Sequence, residues 1–201
     1  MIKAIIFDSD GVVTSSKIFS EELEKDFGIS AKRLMPFFKS VFQKCLVGEA
    51  DLKIELKNYI DEWGWRGSVD ELADYWFKAE HEINERIVQK IKELKQNGIK
   101  CYLGTNQEQY RTDYMRKSMG FGDLFDAIYS SAEIGIKKPK QEFFNVVYKQ
   151  INEDGKILKN EIMFWDDDSE NVKSAKKFGF QANLYCNFTE FEKNVSLKIN
   201  L

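Results

Sequence analysis

Two carboxylates one residue apart, Asp8 and Asp10, close the apolar run Ile2-Lys3-Ala4-Ile5-Ile6-Phe7, and Gly11 follows at once. A nearly unbroken apolar run of this length reads as a strand buried on both faces of a parallel sheet. Side chains alternate along an extended segment, so Asp8 and Asp10 point the same way if the strand persists. Like charges at one strand tip repel, and a bound cation or a proton on one carboxyl relieves them. Open α/β sheets bind ligands at this end of their strands. Asp and Gly are also ordinary turn residues. The DxDG pattern matches the start of a calcium loop as well, but the spacing fails. Gly11 stands fourth rather than sixth, and Val12-Val13 follows where a ligand is needed.

Three further polar groups sit at the ends of apolar runs. Ile99 to Gly104 ends in Thr105 and Asn106, neutral donors ahead of a helical pattern, where backbone N–H groups can hold an anion. Ile162-Met163-Phe164-Trp165 ends in Asp166, Asp167 and Asp168. Between them, Gly135-Ile136-Lys137-Lys138-Pro139 places a lysine just before a helix. Each has a plainer reading: a helix cap, surface acids at a helix N-terminus, a solvated lysine. In a parallel sheet all these ends share one rim. Carboxylates for a hard cation, donors for anionic oxygens and a lysine for the remaining charge then converge. That set suits phosphoryl transfer, which depends on positioning and charge neutralisation.

The elements that would hold these groups alternate. A helix is expected over about 84–97, ending at Asn97-Gly98, then the strand from Ile99. A helix over about 107–119, a short strand Ala127–Ser130 and a helix opened by Pro139 follow. After the strand from Ile162, Ser169 is placed to cap a helix that stops at Gly179, and a strand over 182–186 leads to a C-terminal helix. Such alternation gives an α/β fold, a doubly wound, Rossmann-like parallel sheet built from right-handed crossovers. Between Val13 and this series the period is helical throughout, with stripes such as Leu34, Phe38, Val41, Cys45 and Leu72, Trp76, Ala79, Ile83. We read residues 16–84 as an all-helical insert of four helices and 1–15 with 85–201 as the core, with links near Thr14–Lys17 and Asn84–Arg86. Pro36 predicts a kink or a late helix start within its stripe. The cap aromatics Phe37, Phe38, Phe42, Trp63 and Trp76 fall at core spacing.

The chain has 201 residues, 43% of them apolar, enough for one sizeable core with an insert. A net charge of −3 without a basic cluster argues against nucleic acid. No apolar run reaches the length of a membrane span, and the N-terminus lacks the pattern of a secretory leader. Cys45, Cys101 and Cys186 form neither a zinc pattern nor a disulfide framework, and each is expected to pack as a small hydrophobe. A cytoplasmic location is the default expectation. Monomer and homodimer both remain open.

Taken in order, these motifs resemble the haloacid dehalogenase-like hydrolase superfamily over nearly the whole chain. Phe7-Asp8-Ser9-Asp10-Gly11-Val12-Val13 matches its first motif, Thr105 with Asn106 its second, and Lys138-Pro139 its third. Asp166 and Asp167, with Asn171 four residues on, match its fourth, and the insert looks like the class-one helical cap. The resemblance implies that Asp8 is the nucleophile, forming an aspartyl-phosphate, and that Asp10 is the general acid and then the base. It implies Mg2+ held by Asp8, the Asp10 carbonyl and Asp167, with Asp166 as an outer or additional ligand. Thr105, Lys138, Asn106 and Gly11 would hold the phosphoryl group. In register, Lys137 competes with Lys138 and Asp168 with Asp167; the KP step and the distance to Asn171 favour Lys138 and Asp167. Halide-releasing members lack the second acid, so Asp10 favours phosphate esters. The implied function is a magnesium-dependent phosphatase of a small phosphorylated metabolite, possibly a sugar phosphate. The alternatives are a sugar phosphomutase of the same superfamily and a non-catalytic binding module.

Overall fold

The computed structural model describes residues 1–15, 17–153 and 155–199. Strand β1 (Ala4–Phe7) leads into a run of short helices, α1 (Phe19–Phe27), α2 (Ala31–Lys39), α3 (Val41–Cys45), α4 (Leu52–Lys57), α5 (Ile60–Trp63) and α6 (Val69–Ala79). The alternating part follows: α7 (Glu85–Gln96), β2 (Lys100–Thr105), α8 (Gln109–Lys117), α9 (Phe121–Leu124), β3 (Ala127–Ser130), α10 (Ser131–Ile134) and α11 (Gln141–Ile151). A 3-10 turn at Lys159–Glu161, β4 (Ile162–Asp166), α12 (Ser169–Phe178), β5 (Gln181–Leu184) and α13 (Phe188–Ile199) complete it.

The five strands form one sheet in the order β3-β2-β1-β4-β5, every pairing parallel. Strand β1 is central, with Phe7 beside Leu103 on one side and Trp165 on the other. All four of its residues are buried. Ile5 and Phe7 pack with Ile87, Ile91 and Leu94 of α7 and Phe191 and Val195 of α13. Ala4 and Ile6 pack on the opposite face with Phe143, Phe144 and Val147 of α11 and Val172 and Ala175 of α12. The continuous apolar run is therefore split by strand alternation between two covered faces, each large side chain stabilising by about 1.5–3 kcal/mol on burial.

The helices before α7 have a core of their own: Phe19, Leu23, Leu34, Phe37, Leu52, Leu56, Trp63, Leu72, Trp76 and neighbours. Phe38 and Phe42 are half-buried at its margin, and the Phe19 and Trp76 rings stack with centroids 4.6 Å apart. The six short helices correct the expected four. The stripes were continuous in apolar spacing, but the chain turns at Ser40 (φ −118°, ψ −94°) and again after Cys45 and Lys57. Pro36 lies inside α2, which starts on time because the Ser30 side chain accepts from Lys32 N–H. The expected boundary at residue 16 falls outside the described residues.

Three local expectations are corrected. Pro139 does not open α11: it follows a cis peptide bond from Lys138, and Lys140 is the residue that caps the helix at Gln141. Asp168, not Ser169, caps α12, its carboxylate accepting from Glu170 N–H at 2.7 Å. Cys186 is exposed rather than packed, whereas Cys45 and Cys101 are buried. No helix among the described residues is long and apolar enough to cross a membrane.

The two chain crossings into the helical insert lie side by side. Ser15 N–H donates to the Glu82 carbonyl at 2.8 Å, and Asn84 N–H donates to the Val13 carbonyl at 2.8 Å. From α8, the buried Arg111 guanidinium donates to the Phe77 and Glu80 carbonyls at 2.7 and 3.0 Å, fixing the end of α6. Across the interface Tyr110 Oη donates to Asp51 Oδ2 at 2.7 Å, and Lys137 Nζ donates to Gln43 Oε1.

Candidate active site

The central strand and its neighbour β4 end side by side, and their last residues carry the acids. Asp8 N–H donates to the Trp165 carbonyl at 2.8 Å, extending the ladder by one rung, so Asp8 arrives next to Asp166. After Asp8 the chain wraps around one carbonyl. Ser9 C=O accepts from Val12, Val13 and Thr14 N–H at 3.2, 2.8 and 2.9 Å. That turn needs Gly11 at φ +76°, a conformation other residues rarely adopt. It also brings Gly11 against Asp167: a Cβ on Gly11 would lie 2.1 Å from Asp167 Oδ2.

Lys138 reaches the acids from the loop before α11. Its Nζ lies 2.8 Å from Asp8 Oδ1 and 2.6 Å from Asp166 Oδ2, and the side chain is 1% exposed. Asn106 fixes that loop: its Oδ1 accepts from Lys138 N–H at 2.8 Å, and its Nδ2 donates to the Lys138 carbonyl at 3.0 Å. Thr105, buried at the end of β2, stands one residue earlier, beside Ser130 in register. Lys137 points away to Gln43, so Lys138 is the lysine among the acids.

Asp166 is fully buried and heavily bonded. It accepts from Lys138, from Asp168 N–H at 2.9 Å, and from Asn171 Nδ2 at 3.0 and 3.1 Å. Asp8 accepts from Ser9 N–H at 2.7 Å and from Lys138, both on Oδ1, which leaves Oδ2 the freer oxygen among the described residues. Asp167 is exposed, and Asp168 turns to α12. Asp8, Asp166 and Asp167 each offer an oxygen within 4.8 Å of the others. The Asp10 carboxylate is held on both oxygens: Oδ1 accepts from Thr14 Oγ1 at 3.1 Å and Oδ2 from Gln107 Nε2 at 2.6 Å.

Charge is unbalanced here. Four carboxylates, Asp8, Asp10, Asp166 and Asp167, face one ammonium. Burial pushes the Asp8 carboxyl up to about 8, against the pull of Lys138 and with Asp166 adding to it. Burial also raises Asp167, with Asp166 next in effect. Burial works against the Lys138 charge, but the Asp8 and Asp166 carboxylates overcome it and hold the amine above its ordinary value. Three convergent carboxylate oxygens, the missing side chain at Gly11 and the excess negative charge fit a small hard cation.

Two residues facing this site carried no motif. Gln107 is buried at the start of the loop to α8, and Glu80 lies at the end of α6. Glu80 accepts from Phe19 N–H at 3.0 Å. Burial and the nearby Asp10 charge push its carboxyl up to about 7. Gln107 directly follows the Thr105-Asn106 pair in sequence; nothing in sequence ties Glu80 to the rim. His81 is occupied, its Nδ1 lying 2.7 Å from Tyr114 Oη.

Comparison with known proteins gives the family. The family described as haloacid dehalogenase-like hydrolase matches residues 2–179. A D-ribitol-5-phosphate phosphatase of Bacteroides thetaiotaomicron is 23% identical over the whole of both chains. A sesquiterpene phosphatase of Aspergillus oryzae is 36% identical over 94 residues, 47% of this chain and 46% of its own. Among solved structures, a HAD family enzyme of Bacteroides thetaiotaomicron, in complex with magnesium and inorganic phosphate, superposes with a TM-score of 0.76 at 20% identity, covering 95% of this chain and 99% of its own. A predicted HAD-like family hydrolase of Porphyromonas gingivalis superposes with a TM-score of 0.78 at 22% identity, covering 100% and 99%. With a family match that runs through every one of the acids, the lysine and the strand ends described above, this chain belongs to the haloacid dehalogenase-like hydrolases.

Proposed function

We propose that the chain is a magnesium-dependent phosphatase of small phosphomonoesters, with Asp8 as nucleophile and Asp10 as acid and base. The observation that carries this reading is the convergence of Asp8, Asp167 and Lys138, from three separate segments, on one rim. Asp8 Oδ2 attacks phosphorus while Oδ1 stays bonded to Ser9 N–H and Lys138. The ester P–O bond breaks, and Asp10 gives its proton to the departing oxygen. Asp10 then takes a proton from water, whose oxygen attacks the same phosphorus and releases Asp8. Lys138 and Thr105, with the backbone N–H groups of Asn106 and Gly11, take the phosphoryl oxygens.

Asp8, the Asp10 carbonyl and Asp167 would hold magnesium, which neutralises phosphoryl charge when bound. Asp166 is better read as the support that aims Lys138 and Asn171 than as an open ligand, since both its oxygens already accept. The helical insert, expected over residues 16–84, acts as the cap, meeting the core through the Tyr110–Asp51 and Lys137–Gln43 contacts. The full-length similarity to a pentitol phosphatase supports a sugar or polyol phosphate as substrate. We read its place of work as the cytoplasm, where small phosphorylated metabolites are abundant.

The test is Asp8→Asn assayed with magnesium on aryl and sugar phosphates. Asp166 keeps Lys138 paired in this variant, so the fold survives, and turnover is expected to vanish. Turnover equal to the wild type would refute the assignment.

A further inference from the structure

We propose that Gln107 is a positioning residue for Asp10: its side-chain amide sets the plane of the carboxylate that delivers the proton to the leaving group. This rests on the phosphatase reading above. An aspartate carboxylate turns easily about its terminal torsion, which has a broad, roughly two-fold preference. A single anchor would leave it free to pivot. Here two donors hold it from different parts of the chain. Thr14 Oγ1 donates to Oδ1 at 3.1 Å from the strand-like link that leads into the cap. Gln107 Nε2 donates to Oδ2 at 2.6 Å from the core.

Gln107 is built to be rigid. It is 7% exposed, and its own carbonyl accepts from Ala132 N–H at 3.2 Å and from Ser131 Oγ at 3.4 Å. The preceding residue, Asn106, is clasped to Lys138, and the following one, Glu108, caps α8. The amide therefore projects from a backbone fixed on three sides. It is also uncharged, so it orients Asp10 through a hydrogen bond alone. The amide ties Asp10 to the same loop that fixes Lys138. The acid–base group and the phosphoryl-binding lysine thus share one reference frame, as a near-attack geometry requires.

A positioning role differs from a structural one in its dependence on the leaving group. An alkoxide leaves only with a proton, whereas p-nitrophenolate leaves without one. The value of kcat/KM reports the steps through formation of the phospho-enzyme, in which only the leaving-group proton is at stake. The experiment measures kcat/KM of wild type and Gln107→Met on p-nitrophenyl phosphate and on the fastest alkyl ester from a panel of pentitol and hexose phosphates. We expect a loss of about 10–100-fold on the alkyl ester and at most a few-fold on the aryl ester. Should Gln107→Met not fold, Gln107→Asn, which withdraws the amide by one methylene, gives the same ratio. Equal losses on both esters, or no loss on either, would overturn the inference while leaving the phosphatase reading in place. A wild type that hydrolyses no ester in the panel would overturn both.

Discussion

Asn106 and Lys138, 32 residues apart, close a two-bond ring in which the side-chain amide of one brackets the peptide of the other. The second strand end thereby fixes the loop of the lysine. Asn106→Ala should leave the Lys138 N–H and carbonyl without those partners, a loss of about 1–3 kcal/mol in stability. Lys138 loses its aim as well, so kcat/KM should fall at least about 10-fold beyond any folding loss. Denaturant melts and steady-state kinetics on the same preparation separate the two effects.

Gly11→Ala should act on the cation rather than on the fold. Its Cβ would stand 2.1 Å from Asp167 Oδ2, and the backbone is held at φ +76°. Strain at such a site is on the order of 1–2 kcal/mol, while Asp167 must swing aside. Calorimetric titration with magnesium should show affinity reduced by at least about 10-fold. Unchanged affinity would mean that Asp167 is not a ligand.

Lys138→Met removes the one ammonium between Asp8 and Asp166. Two buried carboxylates then face each other unpaired, a destabilisation of about 3–5 kcal/mol. Added magnesium should restore part of the loss in the variant, because it supplies the missing positive charge. Thermal melts with and without the metal check this.

Glu80 makes stability depend on pH. Its carboxyl sits at about 7 in the fold, against 4.5 ordinarily, from burial first and the Asp10 charge second. The folded state therefore holds its proton more tightly, and the contribution is full below the ordinary value. It is lost as pH rises towards about 7 and is flat above that. Glu80→Gln keeps an acceptor for Phe19 N–H and removes the slope. At pH 8 it should be more stable than the wild type by on the order of 2–3 kcal/mol, with the gap shrinking towards pH 5. Urea melts at the two pH values test this; a constant difference would contradict it.

Arg111→Lys should loosen the helical insert. One ammonium cannot reproduce the two bonds to the Phe77 and Glu80 carbonyls, which end α6. A stability loss of about 1–3 kcal/mol and faster proteolysis within residues 19–79 are expected, with cleavage mapped by mass spectrometry.

Four of the strands were legible because they are short, mostly apolar runs that end in or before polar residues, while β5 (Gln181–Leu184) alternates polar and apolar residues. The acids were legible for a related reason, each standing where a run stops; the lysine was legible from its KP step in the loop before α11. Gln107 and Glu80 were not legible, since their importance comes from reaching Asp10 across 97 residues in one case and from burial beside it in the other. The insert was read as helical but with too few helices, because an apolar stripe continues through the turn at Ser40. The start of α11 was misplaced because Pro139 serves the lysine's loop instead of the helix.

The paired crossings at Val13–Ser15 and Glu82–Asn84 bear on how such an enzyme changes its diet. The polypeptide returns to the sheet within one hydrogen bond of where it left, and the helices between have an interior of their own that Arg111, Tyr110 and Lys137 tie to the core. On the proposed reading, exchanging those helices would change which ester meets the strand ends while the strands keep their order. A short hairpin bridging Ser15 to Glu82 would leave the sheet's connectivity intact.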